Sequence, residues 1–97
     1  MPARRDDLFE RHGITWQRIW HEDAGAYIWR ANDRRLEAWR CGWQRTEHVD
    51  KNGEVHEGLA EDYRVTLDGA LVGQTHRLRD AMDRGAIAFH EAQRHAA

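Results

Sequence analysis

A chain of 97 residues is long enough to bury one core without staples and too short for two. Its single cysteine, Cys41, excludes an internal disulfide framework and any cysteine-rich zinc site, so a reducing, cytoplasmic setting is expected. Fifteen basic and seventeen acidic side chains give a net charge of −2, too balanced for a protein held to nucleic acid mainly by phosphate attraction.

The opening segment, MPARRDDLFERHG, has no apolar run behind its arginines, so neither a secretory signal nor a membrane span is expected. Pro2 suits a first helical position and Gly13 a helix end, which predicts a short helix over 3–12. From Ile14 the apolar period changes to two. Residues 14–20 and AYIWRA (26–31) read as strands, separated by the turn-like HEDAG (21–25). NDRR (32–35) is a second turn, and LEAWRCGWQR (36–45) a third strand.

EHVDKNGEVHEG (47–58) is centred on Asn52-Gly53, a strong signal for a two-residue type I′ hairpin turn. Val49 and Val55 sit symmetrically about that turn, and the other side chains are polar. A hairpin over 46–58 is therefore expected to project from the body. Charge concentrates in this region, since residues 46–68 hold seven acidic and two basic groups. EDYRVTL (61–67) and ALVGQ (70–74) are two more strands joined by Asp68-Gly69, and the short last strand offers an edge for pairing between subunits. Thr75 fits a helix N-cap. Beyond it, Leu78, Ala81, Met82, Gly85, Ala88, Phe89 and Ala92 form an apolar stripe that predicts a helix over 76–94. Gly85 on that stripe implies a bulky neighbour, tryptophan being the obvious one.

The expected architecture is a single α+β domain over 1–97. An antiparallel meander of about four to five strands (14–75) with a projecting acidic hairpin packs against one C-terminal amphipathic helix. In a strand, neighbouring residues point to opposite faces. Trp29 precedes Arg30, and Trp39 precedes Arg40, so indoles are expected beneath the helix and guanidinium groups toward water. Trp16, Arg18 and Trp20 share parity and break that rule, which makes Trp16 and Trp20 the candidates for exposure at a contact site.

Chemistry is sparse. The chain has no serine, no HxH or HExxH spacing and no glycine-rich phosphate loop. Cys41 shares parity with Trp39 and Trp43 and is expected to be a buried, inert thiol. His48 and His56 flank the Asn-Gly turn among carboxylates, but a solvated ribbon supplies no closed first shell, so neither a metal nor another cofactor is expected. The expectation is a protein without catalytic activity. Its first functional reading is a small protein-binding accessory or inhibitor module, of the kind often carried by phages and other mobile elements. Glu47, Asp50, Glu54, Glu57, Trp16 and Trp20 would meet a protein partner with a basic surface. The alternative is a nucleic-acid-binding sheet-plus-helix domain lined by Arg18, Arg30, Arg40 and Arg64. Lys51 is the single lysine, a bias toward arginine that a G+C-rich genome also produces.

Overall fold

A computed structural model describes residues 7–95. Six antiparallel strands follow one another in sequence and in space: β1 (Leu8–Arg11), β2 (Ile14–His21), β3 (Ala26–Ala31), β4 (Leu36–Val49), β5 (Val55–Leu67) and β6 (Ala70–Thr75). The sheet curls into a half-barrel packed with one helix, α1 (Leu78–His95). The α+β class, the meander and the C-terminal helix are as expected, whereas the strands number six among the described residues.

The expected N-terminal helix is replaced, within the described residues, by β1; its positions 3–6 lie outside them. The reason is the His12-Gly13 pair. Both take positive φ, +53° and +76°, as a type I′ turn requires, and the turn folds Leu8–Arg11 back against Ile14–Gln17. Gly13 thus closes a hairpin instead of ending a helix. Asp68-Gly69 is also a two-residue turn with both φ positive, as expected. Asn52-Gly53 is different: Gly53 alone has positive φ, its amide donates to the Asp50 carbonyl, and Asp50 donates to the Glu54 carbonyl. That is a type I turn followed by a glycine bulge, not a type I′ turn.

Cross-strand partners share a face, so the register sorts the side chains. Arg18, Trp29, Ala38, Val65 and Gly73 form one row on the side that carries the helix. Ile19, Ile28, Trp39, Arg64 and Gln74 form a row on the far face. Trp39 and Trp29 therefore point to opposite sides, because Trp39 pairs with Ile28. The expected division into an indole face and a guanidinium face does not hold.

Ile14, Trp16, Ala31, Leu36, Ala38 and Val65 are buried against Ala81, Met82, Ala86 and Phe89 of α1. Gly85 lies where a Cβ would stand 2.9 Å from Val65 Cγ2, 3.2 Å from Trp16 Cη2 and 3.3 Å from Leu36 Cδ2. The glycine is the contact point of helix and sheet, with valine nearer than tryptophan. The helix begins at Leu78, and Thr75 does not cap it: its hydroxyl donates to the Arg77 carbonyl at 2.7 Å. Cys41 is exposed, because it is the extra residue of a bulge between Arg40 and Gly42.

Edge strand β1 is tied to the helix by Arg11, whose guanidinium donates two hydrogen bonds to Asp83 at 2.8 and 3.0 Å. That bidentate pairing holds the Asp83 carboxyl below its ordinary value, with the Arg11 and His12 charges adding to it. A carboxylate whose pKa falls on folding stabilises the native state above about pH 4, and the contribution disappears as pH drops through the lowered value. Asp83→Asn should therefore cost stability at neutral pH. The gap between variant and wild type should close in acid, as read by urea unfolding from pH 7 to pH 2.5. A gap independent of pH would mean that the ion pair contributes nothing.

Candidate protein-contact surface

Two features build the site, and both follow from where the helix stops. α1 packs on the half of its sheet face that includes Ile14, Trp16, Ala31, Leu36 and Val65. Beyond that half the same face is bare. Trp20 and Tyr27 pair across β2 and β3, their rings meeting edge to face with centroids 5.1 Å apart. Arg40 and Tyr63 pair across β4 and β5. With Trp29, Gly25 and Ala26, these four side chains line an open cleft of about 310 Å³.

The second feature is the outer part of the β4–β5 hairpin, from Trp43/Glu61 to the turn. Residues 51–59 are exposed throughout. The ribbon projects as expected. The bulge at Cys41 decides which β4 residues share the helix side with β5. Alternation running unbroken through Cys41 would put Gly42 and Gln44 there; with Cys41 bulged out, Trp43, Arg45, Glu47 and Val49 take it, opposite Glu61, Leu59, Glu57 and Val55. Trp43 (62 % exposed), Leu59 (69 %), Val49 and Val55 (59 % each) thus share one side of the ribbon. That side runs on into the aromatic cleft.

Charges on this surface are paired or opposed in a definite order. Arg18 stacks over the Tyr27 ring at 4.5 Å while donating to Asp7 at 2.7 Å. Arg40 lies 5.9 Å from the Trp43 ring and 3.2 Å from Glu61. Tyr63 donates to the other Glu61 oxygen at 2.8 Å. Tyr63 and then Arg40 hold the Glu61 carboxyl below its ordinary value, and burial together with Glu61 pushes the Tyr63 hydroxyl up. Glu47 and Glu57 face each other directly across the strands.

The expected contact residues divide accordingly. Trp16 is fully buried beneath Gly85, so it is a core residue and not a contact. Trp20 is half exposed on the bare face. Glu47 and Glu57 lie on the apolar side of the ribbon, and Glu54 is exposed at its tip. Asp50 is largely occupied by the turn. One of its oxygens accepts from the Asn52 and Glu54 amides, and the other meets His56 Nε2 at 2.8 Å. His56 first, and then the Glu54 amide, hold the Asp50 carboxyl low. Asp50, Glu54 and His56 bring ligand-type atoms within 4.8 Å of one another, and the hydrogen bonds describe a clamp on the turn. The His21 ring likewise serves its own turn, Nδ1 accepting from the Ala24 amide at 3.2 Å.

The four arginines of the nucleic-acid reading fall on both faces. Arg18 and Arg40 are on the helix side, Arg30 and Arg64 on the far side, and each is within 3.3 Å of a carboxylate.

In comparisons with known proteins, no family model, no curated protein and no solved structure matches this chain. The surface must be read on its own chemistry.

Sequence reasoning missed Trp43, Leu59, Tyr27 and Tyr63 as members of one surface. Leu59 was within reach. The alternation from Val55 through Glu57, Leu59 and Glu61 to Tyr63 is unbroken, and treating 59–60 as a gap between elements hid it. For Trp43 the signal was Gly42, since an isolated glycine inside a strand pattern marks a bulge.

Proposed function

We propose that this domain is a non-enzymatic protein-binding module, an accessory or inhibitor component that grips a partner with its projecting ribbon and the adjoining aromatic cleft. One observation carries the reading: Trp43, Leu59, Val49 and Val55 lie exposed on one side of the ribbon and lead into Trp20, Tyr27, Tyr63 and Arg40. Tryptophan, tyrosine and arginine are the residues on which interface energy concentrates, and an exposed apolar stripe of this extent marks a contact surface. Glu47, Asp50, Glu54 and Glu57 at the outer end favour a partner with a basic surface and speed its approach.

A nucleic-acid reading draws support from the placement of Arg18, Trp20, Tyr27, Arg40 and Trp43 on one face, the arrangement that base stacking needs. It is the weaker reading, because Arg18 and Arg40 are both engaged by carboxylates and the ribbon beside them is acidic.

The test is affinity capture from the native host with nuclease present. Trp43→Ala and the reversal of Glu47, Asp50, Glu54 and Glu57 to lysine should each remove the captured protein. Capture that survives both changes would dismiss the ribbon as the contact. Binding to single-stranded DNA or RNA that falls steeply with added salt would favour the second reading.

A further inference from the structure

We propose that the partner with a basic surface is a second copy of this chain, bound face to face along the ribbon in a two-fold dimer. The inference rests on the protein-binding reading above and names its partner.

The argument begins with the order of charges along the exposed side. Beyond the Arg45–Leu59 pair the ribbon carries Glu47, Asp50, Glu54 and Glu57 against Lys51 alone. The inner end of the same side carries Arg18, Arg40 and Arg45, with Asp7 and Glu61 as counter-charges. Arg18 and Arg40 are held by Asp7 and Glu61, so Arg45 carries the net positive charge of the inner end; the tip is acidic, and an apolar stripe joins the two. A surface of that kind is complementary to itself when turned end for end, as an isologous two-fold contact demands.

Geometry narrows the register. Stacking two ribbons in parallel sets Glu47 over Glu57 of the other copy, a repulsion repeated on both sides of the axis. An antiparallel stack centred on the Arg45–Leu59 pair opposes two arginines, and one centred on the Glu47–Glu57 pair opposes glutamates. Centring between them, level with Thr46 and Gly58, sets Glu47 over Arg45 of the other copy twice. The same register puts Val49 over Trp43 twice and keeps Leu59 near the middle. From Trp43 to Val49 the ribbon runs about 20 Å at ~3.4 Å per residue, so the tip reaches the partner's Arg40 and aromatic cleft. Glu47, which faces Glu57 across the strands of a lone ribbon, gains a counter-charge in the dimer, and Glu57, seated over Leu59 of the other copy, lies diagonal to that same Arg45.

Analytical ultracentrifugation of the full chain over a micromolar concentration range tests this. Wild type should sediment as a dimer. Leu59→Asp should raise the dissociation constant at least about a hundredfold, as expected for a charge buried at an interface centre. Arg45→Glu and Glu47→Arg should each raise it at least about tenfold, and the double swap R45E/E47R should return it to within a few-fold of wild type. Circular dichroism establishes that each variant is folded; all three positions are exposed, so the core is untouched. A wild type that remains monomeric, or a double swap no better than the single changes, overturns the proposal. If the monomer still captures a host protein and loses it on Trp43→Ala, only the identity of the partner is wrong. If neither association occurs, the binding reading falls with it.

Discussion

Trp16→Ala is expected to lower the free energy of unfolding by about 3–5 kcal/mol, the largest loss available from a single truncation in this core. Trp16 is wholly buried on β2, packed between Ile14, the sheet and the helix backbone at Gly85. Deleting the indole removes apolar contact and leaves a void lined by Leu36, Val65 and α1, which a curled sheet anchored at both edges cannot readily collapse. Domains of this size hold about 5–15 kcal/mol in total, so the variant should sit close to its unfolding threshold. Trp16→Phe should lose clearly less. The ring is smaller, but the indole N–H has no partner among the described residues, and replacing it removes a buried donor whose isolation costs about 1–3 kcal/mol. Urea unfolding followed by far-UV circular dichroism reads both variants. A loss below about 1 kcal/mol for the alanine variant would place Trp16 outside the core.

The second large effect runs against helix propensity. Gly85→Ala should gain about 1 kcal/mol from backbone preference if the site were open. It is closed, because the new Cβ would stand 2.9 Å from Val65 Cγ2, on a stiff β-branched side chain that is itself fully buried. Trp16 and Leu36 close the other sides at 3.2 and 3.3 Å. Overpacking of this kind costs about 1–3 kcal/mol, so the net change should be destabilising. Val65→Ala in the same chain should recover part of the loss, giving a double-mutant cycle with favourable coupling. Stabilisation by Gly85→Ala alone would show that α1 rides higher on the sheet than described.

Local chemistry made much of this fold legible. The period-two runs at 14–20, 26–31 and 61–67, the Asp68-Gly69 turn and the apolar stripe of α1 each depend on neighbours in sequence, and each appears where expected. What failed depended on register. Adjacent residues do alternate faces, so Trp29 opposes Arg30 and Trp39 opposes Arg40 as anticipated. Which member of each pair turns toward the helix is set by cross-strand pairing, and there Ile28 meets Trp39. Alternation alone could not supply that. β1 was hidden because Leu8 and Phe9 are adjacent apolar residues compatible with either a helix or a strand, and the His12-Gly13 turn arbitrates only once β2 is present to receive it. Trp20 was singled out for its parity with Arg18, and its exposure follows from a helix too short to cover the whole face.

The bulge at Cys41 lets two unlike strands keep step. β5 alternates without a break from Tyr63 to Val55, and the extra residue on β4 is what sets Trp43, in place of Gly42, opposite Glu61. Excising Cys41 would join Arg40 to Gly42 with Tyr63 and Asp62 still their partners, so Trp43, Leu59 and the valines would stay on the side they hold. What such a deletion would change is the bend and added twist that a bulge imposes, and with them the angle at which the ribbon leaves the body. One codon at that position can therefore re-aim the grip without rewriting which residues make it.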